Sequence, residues 1–284
     1  MSQNTDFNDW VGKSETESGV ASAYPANYFT VTLDRDDAPL CDGDELPPGW
    51  HYFYFHELVA LAATGEDGHR AKGDFMPPLP YPRRMWAGSK MKFQSPIRIG
   101  EKVTKVITIT DIAVKEGRSG KMCFVTTLEE VFGEDGRLTT SETRTQVFRE
   151  PADPNMPPPQ PQGAPAAAEW SRTIHPSSVL LFRYSALTMN SHKIHFDKDY
   201  VRDVEGYPGL LVHGPLTMTL MLDLFRRKMP KARMASLDLR AVSPIYDTMD
   251  FTVHGVPKDD GTCKLWAMTG DGSLAMTADV TYVM

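Results

Sequence analysis

Apolar and polar positions alternate most clearly in two stretches of the chain, and each stretch predicts four consecutive strands. The first set is expected over about 84–93, 102–115, 121–132 and 137–149. Its second member alternates well, with Val103, Val106 and Ile112 set among polar neighbours. The glycine-bearing segments 117–120 and 133–136 have the composition of hairpin turns. The second set is expected over about 232–242, 250–256, 263–269 and 274–283. Just before it, Leu216, Leu220, Met221 and Leu224 recur at helical spacing between Pro215 and Lys228. That segment is apolar on most faces, which predicts a buried central helix. Pro215 suits a first turn, where no intrahelical acceptor needs its missing N–H, and Arg226, Arg227 and Lys228 suit the negative end of the dipole.

Weaker patterns fill the rest. A lead-in helix is expected over 6–23, a further apolar stretch over 23–33 and an aromatic strand over 50–55. The glycine- and proline-rich run 65–82 reads as a long functional or packed loop. A short strand over 170–175 leads to a helix start at Pro176, Ser177 and Ser178, with Val179, Phe182, Tyr184 and Leu187 carrying the helix toward Asn190. Between the halves, residues 151–168 are rich in proline and alanine, a composition of semi-rigid spacers. The expected organisation is therefore 1–150, a linker 151–168, and 169–284. Helix followed by four antiparallel strands, given twice, predicts an α+β fold in which curved sheet wraps central helix.

Composition narrows the function. The 284 residues are enough for two domains with cores of their own, and the formal charge of −7 offers no basic face for nucleic acid. The N-terminus lacks a secretory layout and no apolar run reaches the length of a membrane span, so a cytoplasmic protein is expected. Cys41, Cys123 and Cys263 are scattered and odd in number, and read as reduced structural thiols.

The chemistry concentrates between Phe182 and Pro215. Asn190, His192, His195 and Asp197 lie close together, and about twenty residues on His213-Gly214-Pro215 begins the predicted central helix. A proton-transfer histidine and a helix N-terminus are the two parts needed to form and hold an enolate. His213 reads as a brace for the helix start, Asp197 as a turn former, and His51, His56, His175 and His254 as strand or strand-end residues. His69 sits in the long loop, with a lesser claim to ligand contact. His192, His195 and Asp197 lack a third ligand on a shared face, so no metal is expected.

This segment resembles the hydratase-type hot-dog family of MaoC-like, R-specific enoyl-thioester hydratases. His195 matches the family's histidine and Val212-His213-Gly214 its helix start, while Asn190 stands at the aspartate position and His192 at the asparagine position. Arg83-Arg84-Met85-Trp86-Ala87-Gly88 is similar to the same region of two-domain members acting on short dicarboxylic acyl-CoA thioesters, whose first half is of fungal dehydratase type.

The resemblance implies a double hot-dog, a non-catalytic first half and a catalytic second. It implies a hydro-lyase acting on a short, branched dicarboxylic enoyl-CoA of the mesaconyl-C4 or itaconyl type. His195 would be the acid/base, Asn190 would position water through its amide oxygen, and the Gly214 N–H would receive the oxyanion. His192, Val212 and one of Arg83, Arg84 and Arg183 would contact substrate, an arginine pairing the free carboxylate. CoA enters as substrate with no further cofactor, and the fold allows a homodimer of double units. A thioesterase on the same fold, or a non-catalytic acyl-thioester binding module, are the alternatives. The first is disfavoured because the only helix acid, Asp223, lies well past the helix N-terminus.

Overall fold

The computed structural model describes residues 7–117, 120–150 and 160–284. Ten strands form one antiparallel sheet: β1 (Ser14–Val20), β2 (Arg83–Phe93), β3 (Lys102–Gly117), β4 (Gly120–Phe132), β5 (Leu138–Arg149), β6 (Trp170–Ile174), β7 (Arg233–Ala241), β8 (Phe251–Pro257), β9 (Thr262–Thr269) and β10 (Leu274–Val283). Their order across the sheet is β1-β3-β4-β5-β2-β7-β10-β9-β8-β6. The first five strands thus have the connectivity of the last five, run outward in opposite directions from a central seam. At that seam β2 and β7 pair from Gly88↔Arg240 to Lys92↔Ser236. The fold is α+β, of the double hot-dog kind.

The eight strands predicted from alternation fall where expected, with ends displaced by one to a few residues. The helices are α1 (Ala23–Thr32), α2 (Ser178–Thr188), the single turn α3 (Lys198–Tyr200) and α4 (Gly214–Lys228). Every residue of α4 from Leu216 to Phe225 is buried, because the second half of the sheet curls around it and leaves no solvent face. Among the described residues no helix is long and apolar enough to cross a membrane.

Three local expectations fail for physical reasons. The lead-in helix expected over 6–23 is instead β1 after a short turn at Asn8–Trp10; Asp6 lies outside the described residues. Residues 14–20 carry no apolar face to betray a strand, and β1 is tied to β3 by cross-strand hydroxyl pairs, Ser14–Thr108 at 3.0 Å and Ser18–Thr104 at 3.1 Å.

The aromatic run at 50–55 is a 3-10 turn, Trp50–Phe53, not a strand. Trp50 and Phe53, three apart, both face inward and pack edge-on against Phe29, with ring centroids 5.1 and 4.7 Å away. Among the described residues a long central helix is present only in the second half. Between α1 and β2 the first half has short turns and loop, and its aromatic side chains fill the space, with Phe29 reaching Tyr184 of α2 at 5.9 Å. Of the proline-rich stretch, residues 151–159 lie outside the described residues, and Gly163 bridges to Ser273.

Candidate active site

The site forms where the turn after α2 meets the start of α4. Ser177 caps α2, its hydroxyl accepting the Leu180 N–H at 3.2 Å, and the helix ends at Met189 in the left-handed region. The chain then folds tightly: the Asn190 carboxamide oxygen accepts the His192 N–H at 3.0 Å, and Asp197 caps the next turn by accepting the Tyr200 N–H at 2.9 Å. The Asn190 oxygen is therefore spent on the turn, and the NH2 end is the one left to meet a ligand, reversing the sequence expectation.

His195 is buried, and its Nδ1 lies 2.7 Å from the Leu211 carbonyl oxygen. A carbonyl only accepts, so Nδ1 carries the proton and Nε2 keeps its lone pair. The ring stacks on His213 with centroids 3.6 Å apart. His213 is itself fully buried, bonded through Nε2 to the Ser185 hydroxyl at 2.8 Å. The residue after it is Gly214, the first of α4. No side chain caps this helix, and the N–H groups of its first turn have no intrahelical acceptor. The two parts read from the sequence are thus neighbours, a ring stack and one residue apart.

Gly214 is glycine because of the first half. A Cβ there would lie 2.5 Å from Cε3 of the Trp86 indole. Trp86 sits at a register shift in β2 and donates its indole N–H to Ser89 at 3.0 Å. Ser89 in turn donates to buried Glu142, which also accepts from Tyr52 at 2.7 Å and from Arg144 at 3.0 Å. The two motifs singled out in the sequence therefore touch, and a satisfied ionic network holds the indole against the helix start.

The three candidate arginines separate. Arg83 is engaged by Glu205, through an ion pair of 3.3 Å and a bond of 2.7 Å to its backbone carbonyl. Arg183 is exposed on α2. Arg84 lies over the Phe148 ring at 5.3 Å, and its buried Nε has no hydrogen-bond partner. Asp74, another acid of the long loop, pairs with Arg70. Val212 has its side chain in the core and its N–H on the Ile245 carbonyl at 2.8 Å, so it frames the site rather than facing it.

The electrostatics favour neutral imidazoles. Burial holds His195 and His192 down to about 3 and pushes His213 well below the usual range. His69 is also lowered, by burial first; Asp67 opposes the shift and Arg84 adds to it. His69 and Asp67 come from the long loop of the first half, and sequence reasoning gave them little weight. His69 meets His192 with ring centroids 4.2 Å apart, and His192 meets His195 at 5.6 Å, edge-on. The sequence signal for this was a glycine- and proline-rich loop too long and aperiodic to be a simple connection. A cavity of about 720 Å3 lies beside β1 and the 57–74 loop and another of about 410 Å3 at the C-terminal end of α4, and neither includes His195.

Comparison with known proteins fits this geometry. The family model for hydroxyacyl-thioester dehydratase type 2 matches residues 49–247. The chain belongs to that family. It is 37% identical over 277 residues to mesaconyl-C(4)-CoA hydratase of Chloroflexus aurantiacus, covering 97% of both chains. It is 26% identical over 225 residues to the mitochondrial hydroxyacyl-thioester dehydratase type 2 of Schizosaccharomyces pombe, covering 71% of this chain and 74% of that one. Among solved structures, a MaoC-like dehydratase from Phytophthora capsici superposes with a TM-score of 0.71 at 12% identity, over 98% of this chain and 99% of that one. HtdX of Mycobacterium tuberculosis does so with a TM-score of 0.65 at 16% identity, over 94% and 99%. At those identities the superpositions speak to the fold, and this member of the dehydratase family has the double hot-dog.

Proposed function

We propose that the protein is a hydro-lyase that adds water across the α,β double bond of a short, branched dicarboxylic enoyl-CoA thioester, or removes it in reverse. The observation that carries this reading is the neutral His195, its Nε2 free, stacked beside the uncapped start of α4. Nε2 takes a proton from water as the oxygen attacks the β-carbon, and a proton returns to the α-carbon. The charge that builds on the thioester oxygen meets the Gly214 N–H, whose counterparts in acyl-transfer enzymes are worth about 2.7–4 kcal/mol of barrier. The carboxamide NH2 of Asn190 orients the water.

The acyl group follows from Arg84. Its buried Nε has no hydrogen-bond partner among the described residues, and a free substrate carboxylate would supply one. The likeness to mesaconyl-C(4)-CoA hydratase supports a substrate of the mesaconyl-C4-CoA or itaconyl-CoA type. In this reading residues 169–284 carry the proton transfer and residues 1–150 build the wall opposite, CoA entering as part of the substrate. Two double units pairing as a homodimer is compatible with both.

The thioesterase alternative loses its candidate, because Asp223 is buried among three arginines and cannot act as nucleophile. The deciding experiment incubates the protein with mesaconyl-C4-CoA and follows enoyl absorbance and free thiol together. Loss of absorbance without thiol release is expected. Thiol release would convert the reading to a thioesterase, and neither signal would leave a binding module.

A further inference from the structure

The residue at the usual aspartate position is an amide, so the second half by itself brings no carboxylate to the imidazoles. The first half does. Residues 65–69 form a tight loop, closed by the Gly65 N–H on the His69 carbonyl at 2.7 Å, and this loop is fastened onto the turn after α2. The Lys193 N–H donates to the Asp67 carbonyl at 2.9 Å and the Ser191 hydroxyl to the Gly68 carbonyl at 2.5 Å. Gly68 has φ +90°, and a Cβ there would lie 2.0 Å from the Ser191 carbonyl oxygen, so the approach is only open to glycine. The docking is therefore backbone-determined and specific, across more than 120 residues of chain.

What it delivers is a carboxylate behind an imidazole. Asp67 accepts the backbone N–H of His69 through Oδ1 at 3.0 Å, and its Oδ2 lies 3.4 Å from Nδ1 of the His69 ring. That second distance is longer than a formed hydrogen bond, as bonds of this kind often are before substrate is in place. The His69 ring then meets His192, whose ring otherwise touches His195 edge-on and has no hydrogen-bond partner among the described residues. We infer that Asp67 and His69 are positioning residues of the site, together standing in for the missing carboxylate by fixing the tautomer of His69 and hence the orientation of His192 beside His195. The pair acts as the aspartate of a serine-protease triad acts on its histidine, by holding a ring rather than by taking its proton. Asp67 also places a negative charge near His192, opposing the burial that disfavours a positive charge on that ring. This inference rests on the hydratase reading.

The same three side chains, Asp67, His69 and His192, bring their ligand atoms within 4.8 Å of one another, as a two-histidine, one-carboxylate metal site would. The neighbouring charge favours the positioning role. The Arg84 guanidinium lowers the proton affinity of both histidines and would equally repel a dication.

The test compares wild type with Asp67→Asn, His69→Gln and the double variant on mesaconyl-C4-CoA. The expected result is a kcat lower by about 10- to 100-fold with KM changed less than about threefold, the scale of one charge–charge interaction in a partly shielded site. The double variant should be no slower than the slower single. Asp67→Glu should recover part of the rate. Because a protein that fails to hydrate this substrate would count against the parent reading, 15N spectra of the histidine rings test the positioning contact separately. The Nδ1–H form of His69 should be seen in wild type and lost in Asp67→Asn. Unchanged kcat in both single variants, or an unchanged His69 tautomer in Asp67→Asn, overturns the assignment. So does wild-type activity that disappears on dialysis against a chelator and returns with Zn2+, which would make the cluster a metal centre.

Discussion

The two ends of α4 hold opposite kinds of polar cluster. At the C-terminal end, Asp223 is buried and met by Arg35 at 2.6 Å, Arg172 at 2.6 Å and Arg227 at 2.7 Å, so its carboxylate is fully engaged. At the N-terminal end, Arg84 keeps a buried Nε without partner, His213 keeps a buried Nδ1 without one, and the helix start has no cap. Buried polar groups are normally satisfied, and leaving one bare costs on the order of 1–3 kcal/mol. The Asp223 cluster can therefore be read as structure, stapling the α1 exit (Arg35), β6 (Arg172) and α4 together, although Arg226 in the last turn also keeps a buried Nη1 without a hydrogen-bond partner. The N-terminal end, where the proposed substrate would lie, still has hydrogen bonds to make.

Breaking the contrast should cost function at one end and stability at the other. The largest effect is expected for His195→Ala, with turnover of mesaconyl-C4-CoA down by about 10²–10⁴-fold and thermal unfolding little changed; near-normal rates would end the assignment of the base. At the opposite end, Asp223→Ala leaves three arginines without their shared carboxylate. It should destabilise the fold by about 3–5 kcal/mol in denaturant titrations while the folded fraction keeps its specific activity. Arg84→Gln should raise KM for a dicarboxylic enoyl-CoA by about 10- to 100-fold, the worth of a lost charged hydrogen bond, and leave crotonyl-CoA turnover nearly untouched. Equal loss on both substrates would show that Arg84 does not read the second carboxylate.

Acid sharpens the comparison most gently. His192 and His195 are held at about 3 in the folded protein, against about 6.5 for an unfolded histidine. Above 6.5 both states are neutral at these rings and nothing is lost. As pH falls from about 6.5 toward 3 only the unfolded chain takes up the protons, so stability declines by about 1.4 kcal/mol per pH unit for each ring. Unfolding midpoints measured at pH 7.5 and 5.5 should differ accordingly, and the difference should shrink in a His192→Gln variant. Equal midpoints at the two pH values would mean the rings are charged in the native state.

Much of the fold was legible because its signals are local. Strand alternation in 84–149 and 232–283 and the all-round apolar character of α4 are properties of contiguous residues, and the structure has elements there. The misses also have a common origin. β1 is an edge strand with polar residues on both faces, so neither period appears in it. The run 50–55 has the composition of a strand, but Trp50 and Phe53 are drawn into one aromatic cluster with Phe29, and tertiary packing overrides propensity. At the site, the neighbourhood of His195 and Gly214 followed from a motif. The partners of Arg83, the freedom of Arg84 and the contact of His69 with His192 left no trace of spacing.

By itself the sequence determined most of the strands and the buried helix, since each is set by residues within a few positions of one another, and the resemblance of two motifs about twenty residues apart implied the pairing of a histidine turn with a glycine helix start. Only the tertiary structure decided which arginine stays unpaired, that Trp86 of one half packs on Gly214 of the other, and that the 65–69 loop brings a carboxylate to the imidazoles. Those contacts join segments more than 100 residues apart, and an interaction across that distance is fixed by how the sheet closes at the β2–β7 seam, not by any periodicity along the chain.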